Sequence, residues 1–554
     1  MKLIGKTMMM WAAAALLLVA PLSQAKAQTV KPVVVVAVSS VEDTLADVAY
    51  ITKAAGAEDA GRTAMLFGNA FTSGIDKKKP LGMYVSPKEG GGDFVAVVFV
   101  PVTDLKGLLA VYKEQIGEPT DAGDGVLEVS AAGQSAFIKE QNGWAFVAQQ
   151  KEHLVGLPAD PAALLGALPK EYTVAVKVNV QNIPPELKKM AIDEMKAGFE
   201  RGLESGAGAG PIDKELMEKL QRNNIDQMVR MVDELDELMV GYAVDSQGKR
   251  TYLDINVTAV EGSKLAKQMS VLADTKSSFA GFLMPGAAAT MNLSQTMLKE
   301  DIDQALSLLT GVKENALKEI DNDPNLDGGK RAIVKDVLGS FMDVFTKTLE
   351  GGKLDGGAVL MLESKSVNFA AGGLVADGKQ IETTFKKLVD LAKNEPDFPE
   401  VKLNAGQHGG ITFHTLQAPI PDSESEAREL FGEKVNIIIG TGPKAVYIAF
   451  GKDAEGLLKK VIDKSAADGA KPVAPMQMNV SLLPILKFAA SMDDNDVVPA
   501  LVSVLEKSGK DNIRIVIQPL KNGENIRFQL EEGVLEVIGE AVKRVGANFG
   551  PGAL

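Results

Sequence analysis

Cysteine is absent from all 554 residues, which excludes disulfides, thiolate nucleophiles and cysteine-ligated metals together. Histidine is almost absent: His153, His408 and His414 are the full set. Aromatic residues make up 5% of the chain, with only two tryptophans. Positive charge is in deficit, 59 Lys+Arg against 73 Asp+Glu, and no basic run carries interleaved aromatics. An acidic surface repels a phosphate backbone, so nucleic-acid binding is excluded as a function class. After the first residues no uninterrupted apolar run approaches the ~20 residues needed to cross a bilayer. An apolar content of 45% is too high for a disordered chain.

What is present begins with an export signal. Lys2 and Lys6 precede the uncharged stretch Met8–Ala20, and Ala25-Lys26-Ala27 offers small residues where a signal peptidase requires them. Residues 1–27 are therefore expected to be removed, leaving a periplasmic or extracellular protein. Lipoprotein anchoring is excluded because the cut carries no cysteine. Loss of Lys2, Lys6 and Lys26 moves the formal net charge from −14 to −17. The remaining chain is too long for one core at ~100–200 residues per domain.

Repeats organise the rest. Val174–Pro184, Ala288–Ser294 and Met476–Pro484 share an alternating strand running into a helix start, and Val34–Ser40 is a looser copy. Alternation puts every second residue on one face, and Asn or Ser at the strand end can cap the following helix. Two helical stretches, a β-hairpin and a closing helix follow each copy. In the second copy the helices are expected at 184–205 and 212–238, around the glycine-rich 206–210. Strand-rich inserts at 124–168 and 400–468 separate copies one from two and three from four.

The fold expected is α+β, in two homologous halves of mostly antiparallel sheet with helices packed on one face. The halves are 33–273 and 286–554. Four β-α-α-β-β-α units are expected within them, at 33–116, 171–273, 286–395 and 472–546.

Candidate chemistry is sparse. His408 and His414 flank Gly409-Gly410 on neighbouring expected strands, yet a metal needs at least a third ligand, so surface or turn histidines are expected. Asp321, Asp323 and Asp327 resemble the start of an EF-hand loop, but Leu326 stands where the sixth-position glycine belongs and Ala332 where the bidentate Glu belongs. They are loose Ca²⁺ candidates in an inter-helix loop. Asp493, Asp494 and Asp496 read as a cap for the helix after them. Asp233, Glu234, Asp236 and Glu237 are expected at a helix C-terminus, where negative charge opposes the dipole. Ser246–Lys249 is a polar turn, Gly440-Thr441-Gly442 reads as a hairpin turn, and Trp144 as core. No cofactor motif and no catalytic residue is identified.

The signal, the Ala/Gly/Val-rich strands, the Asp43–Tyr50 opening DTLADVAY and the repeated strand–helix units resemble large exported proteins of unknown function from planctomycete-like bacteria. The resemblance implies an envelope location and brings no catalytic residue with it. A non-catalytic envelope protein that binds or scaffolds is the expected function. A hydrolase with carboxylates assembled from distant positions, or a carrier of an apolar ligand between units, are the alternatives.

Overall fold

The computed structural model describes residues 31–88, 93–131, 133–204, 225, 229–272, 275–324, 326–393, 398–469, 471–492 and 496–549. The expected signal sequence, Gly90–Gly92, Gly206–Gly210, Asp493 and Asp494 lie outside the described residues. The chain forms two compact units. The first takes the chain up to Phe199, with Met231–Ser263 and Ile538–Gly546; the second takes the remainder.

In the first unit the strands are β1 (Val34–Ser40), β2 (Pro80–Pro87), β3 (Phe94–Pro101), β4 (Thr120–Gly123), β5 (Val126–Ala131), β6 (Gln134–Gln141), β7 (Trp144–Ala148), β8 (Val174–Asn179), β9 (Leu235–Asp245) and β10 (Arg250–Ala259). Their order is β10-β9-β8-β1-β2-β3-β7-β6-β5-β4, antiparallel at every step. Inward rows carry Val35, Val97, Phe99, Phe146 and Ala175, buried beneath Leu154, Leu165 and Tyr172 from the chain between β7 and β8. On the opposite face Leu105, Leu108 and Leu109 of the helix Leu105–Val111 cover Ile138 and Leu127.

The second unit holds β11 (Ala289–Thr296), β12 (Lys353–Glu363), β13 (Ser366–Leu374), β14 (Glu400–His408), β15 (Ile411–Pro419), β16 (Lys434–Gly442), β17 (Ala445–Gly451), β18 (Met476–Ser481), β19 (Asn512–Leu520) and β20 (Gly523–Glu531). Its order is β20-β19-β18-β11-β12-β13-β17-β16-β15-β14, again antiparallel throughout. Phe279, Phe282 and the helix Ala454–Asp468 bury one face through Val359, Phe413, Tyr447 and Ala449. The other face receives helices Gly328–Glu350 and Gly378–Ala392 through Val344, Ile381 and Val446.

The molecule is thus mixed α+β with antiparallel sheet. Two expectations need correcting. Covering segments lie on both faces of each sheet, because apolar residues stand on both sides of the alternation, although part of one face stays exposed. The second correction concerns the segment before β9. Helix stops by Glu234, and Asp236 and Glu237 belong to β9. Alternation from Leu235 onward wins there, and Glu237 lies 3.4 Å from the Lys177 ammonium on β8 instead of opposing a helix dipole.

The hydrogen-bond registers align one row of side chains across each sheet. In the first unit it runs Ile255, Val240, Val176, Val36, Met83, Val98, Val147, Ile138, Leu127. In the second it runs Phe528, Ile515, Met478, Met291, Ala358, Ala371, Ile448, Ile439, His414. Every place is apolar except His414. Val176, Val240, Met291, Ile448 and Phe528 remain exposed although four of them sit on interior strands.

Candidate functional site

The residues singled out for calcium fall in the loop between helices Lys299–Asn322 and Gly328–Glu350. Asp327 caps the second helix, its Oδ1 accepting from the Lys330 N–H at 2.8 Å. Asp321 pairs with Lys335. The loop carbonyls of Ile320, Asp323 and Leu326 accept from the Arg331 guanidinium at 3.1, 3.0 and 2.8 Å. The Arg331 guanidinium thus ties the second helix to the end of the first and to the loop through backbone oxygens. Among the described residues no three or more His, Asp or Glu side chains converge as metal ligands. Asp496 stands at the N-cap of helix Val497–Ser508, where its side chain makes no hydrogen bond to the first turn. Trp144 is buried, edge-on to Phe99 at 5.8 Å between ring centres.

The histidines divide. His408 stays partly exposed and bonds Asp463 at 2.7 Å. His414 is fully buried, which overturns the surface reading. Alternation along β15 turns His414 away from buried Phe413 and toward helix Gly378–Ala392. Phe385 of that helix meets the imidazole edge-on at 5.5 Å.

The polar surroundings fix the tautomer. Nδ1 accepts from the Asn404 backbone N–H at 3.2 Å, so in the neutral ring the proton sits on Nε2. Nε2 faces the Thr441 hydroxyl at 3.4 Å, and that hydroxyl donates to Glu382 Oε2 at 3.3 Å. Glu382 Oε1 lies 3.9 Å from Nε2 and accepts from Lys386 Nζ at 2.5 Å. Burial holds the His414 pKa below its ordinary value; Glu382 pulls it up and Lys386 pushes it down. Glu382 is held below the usual carboxylate range, first by the Lys386 hydrogen bond. Thr441, read as part of a turn, is in fact a buried strand residue of β16.

In the first unit the place of β15 is taken by β5, and the place of helix Gly378–Ala392 by helix Leu105–Val111. Asp104 and Asp377 cap these helices in the same way, each accepting from the N–H three residues on. Counting from those caps and along the register rows, Glu382 corresponds to Leu109 and His414 to Leu127. Those two leucines sit together in one apolar cluster. Hydrocarbon takes these places in the first unit, where the second unit carries an ionisable pair.

A second cluster lies in the first unit, on helix Val41–Ala54 within the sequence DTLADVAY. Thr173 donates to Asp47 Oδ2 at 2.5 Å, while burial pushes the Asp47 pKa up against that bond and Asp43 adds to the rise. Asp43 accepts from the Ser40 hydroxyl at 2.6 Å. Neither cluster was legible as a site, since the partners of His414 and Asp47 come from distant strands. The one available signal was a histidine between Phe413 and Thr415 on an expected strand. Comparison with described protein families, with curated proteins and with solved structures finds no match to this chain.

Proposed function

We propose that the chain is a non-catalytic exported envelope protein that works by binding, with an apolar ligand or apolar segment as the bound species. The observation that carries this reading is the apolar register row, with Val176, Val240, Met291 and Ile448 exposed on interior strands. Interior strand positions normally hide such side chains, and exposed apolar area at a sheet centre marks binding surface. Scaffolding is the broader form of the same reading. Two homologous halves of two units each are part of the proposal. The identical strand orders and the matching register rows support it, as do β1–β2–β3 and β8–β9–β10 meeting antiparallel at Val36 and Val176.

Asp47 favours the second reading, a hydrolase. Its raised pKa suits proton transfer, but Asp43 lies one turn away on the same helix. Two carboxylates that act on a glycosidic bond must flank it from opposite sides.

Native mass spectrometry of the protein recovered from the exported fraction tests the proposal. The expected species begins at Gln28 and either carries an apolar adduct or takes up an apolar fluorophore saturably. Met291→Asp with Ile448→Asp should cut that uptake about tenfold, roughly 1.4 kcal/mol. A bare protein indifferent to the fluorophore would overturn it.

A further inference from the structure

We propose that His414 is an acid-released latch on the edge strand β14. The strand pairs with β15 through Lys402–Thr415 and Gly406–Phe413, so three residues, Leu403, Asn404 and Ala405, stand opposite His414 alone. Asn404 takes a left-handed backbone, φ +55°, which aims its N–H at the imidazole. That N–H to Nδ1 bond ties the bulge to the sheet. Proton uptake at Nδ1 replaces the acceptor with a donor, and two N–H groups then face each other at the buried imidazole.

The charged groups that face the ring, Glu382 and Lys386, are both on helix Gly378–Ala392. Thr441 of β16 and Asn404 of β14 are neutral. The Glu382 attraction at 3.9 Å acts on Nε2 and does not give the Asn404 N–H a new acceptor. Since His414 titrates below the unfolded value, the native state binds fewer protons than the unfolded state between the two pKa values. The tie is complete above the unfolded histidine pKa of about 6.5 and is lost as pH falls from there through the folded value. β14 stands at the end of the strand order, so its release uncovers the hydrogen-bonding edge of β15.

Hydrogen exchange on the full exported chain tests this. After correction for intrinsic rates, protection at 403–406 should fall roughly tenfold or more between about pH 7.5 and pH 5, while peptides of β16 and β17 keep theirs. Glu382→Leu with His414→Leu, which installs the leucine pair of the first unit, should abolish the pH dependence. His414→Gln, which keeps an acceptor for the Asn404 N–H without titrating, should do the same. Equal protection of the wild type at both pH values, or the same loss in either variant, overturns the proposal. Imidazole ¹⁵N shifts of the wild type serve if both variants misfold: an Nε2–H tautomer titrating below about 6.5 is expected, and an Nδ1–H tautomer refutes the latch.

Discussion

Single atoms decide much of the packing in the second unit. A Cβ on Gly281 would stand 2.3 Å from the Ser465 nitrogen and 2.4 Å from the Val461 carbonyl oxygen, both backbone atoms of helix Ala454–Asp468. Its N–H already donates to the Ser465 hydroxyl at 3.1 Å. Gly281→Ala must therefore move a helix or a turn that Phe279 and Phe282 anchor in the core. A loss of about 2 kcal/mol or more is expected, read as a shift in the urea midpoint at unchanged slope. Gly117→Ala tests a different mechanism: its Cβ would meet nothing, but φ +68° leaves a backbone cost of about 1 kcal/mol.

Strands and helices differ in how well they are held. Helix Lys299–Asn322 buries only Gly311, and Leu308 and Val312 are exposed. β11, β12 and β13 are bonded on both sides. Amides of this helix should exchange well before those of the three strands, by roughly a hundredfold in protection. The elements themselves were largely legible. Alternation located the hairpins β9–β10, β12–β13 and β19–β20, because a half-buried strand imposes a period of two on its own sequence. The segment Asp233–Glu237 misled because charged residues fit a helix surface as well as a strand edge, and the ladder to β8 that decides between them is a long-range contact. His414 and Thr441 were invisible as a pair for the same reason: they lie on neighbouring strands, and the helix that covers them comes from earlier in the chain. Covering of both sheet faces was missed because half-exposed valines look alike in sequence whether solvent or a helix lies above them.

Across the whole molecule the charge balance sets a sign. The formal net charge is −14, and many lysines spend their charge on neighbouring carboxylates such as Asp336, Glu429 and Asp468. Such exposed pairs are worth ~0–1 kcal/mol each, so screening them costs little. Relief of the global repulsion outweighs it. The melting temperature should rise on going from about 10 to about 200 mM NaCl, where the screening length falls below about 10 Å. A fall would mean that the local pairs dominate.

The seam at the middle of each strand order carries a consequence in time. β1 has to bond β8, and β11 has to bond β18, with β2–β7 and β12–β17 lying between them in the chain. As the chain emerges amino-terminus first, one edge of β1 waits for a partner on the order of a hundred residues behind it. During that wait one backbone edge of β1 lacks its ladder, as does one edge of β11 in the second unit. Topology thus leaves two strands without one ladder partner for as long as synthesis of the intervening residues takes. Shortening the segments between the paired strands would shorten the wait.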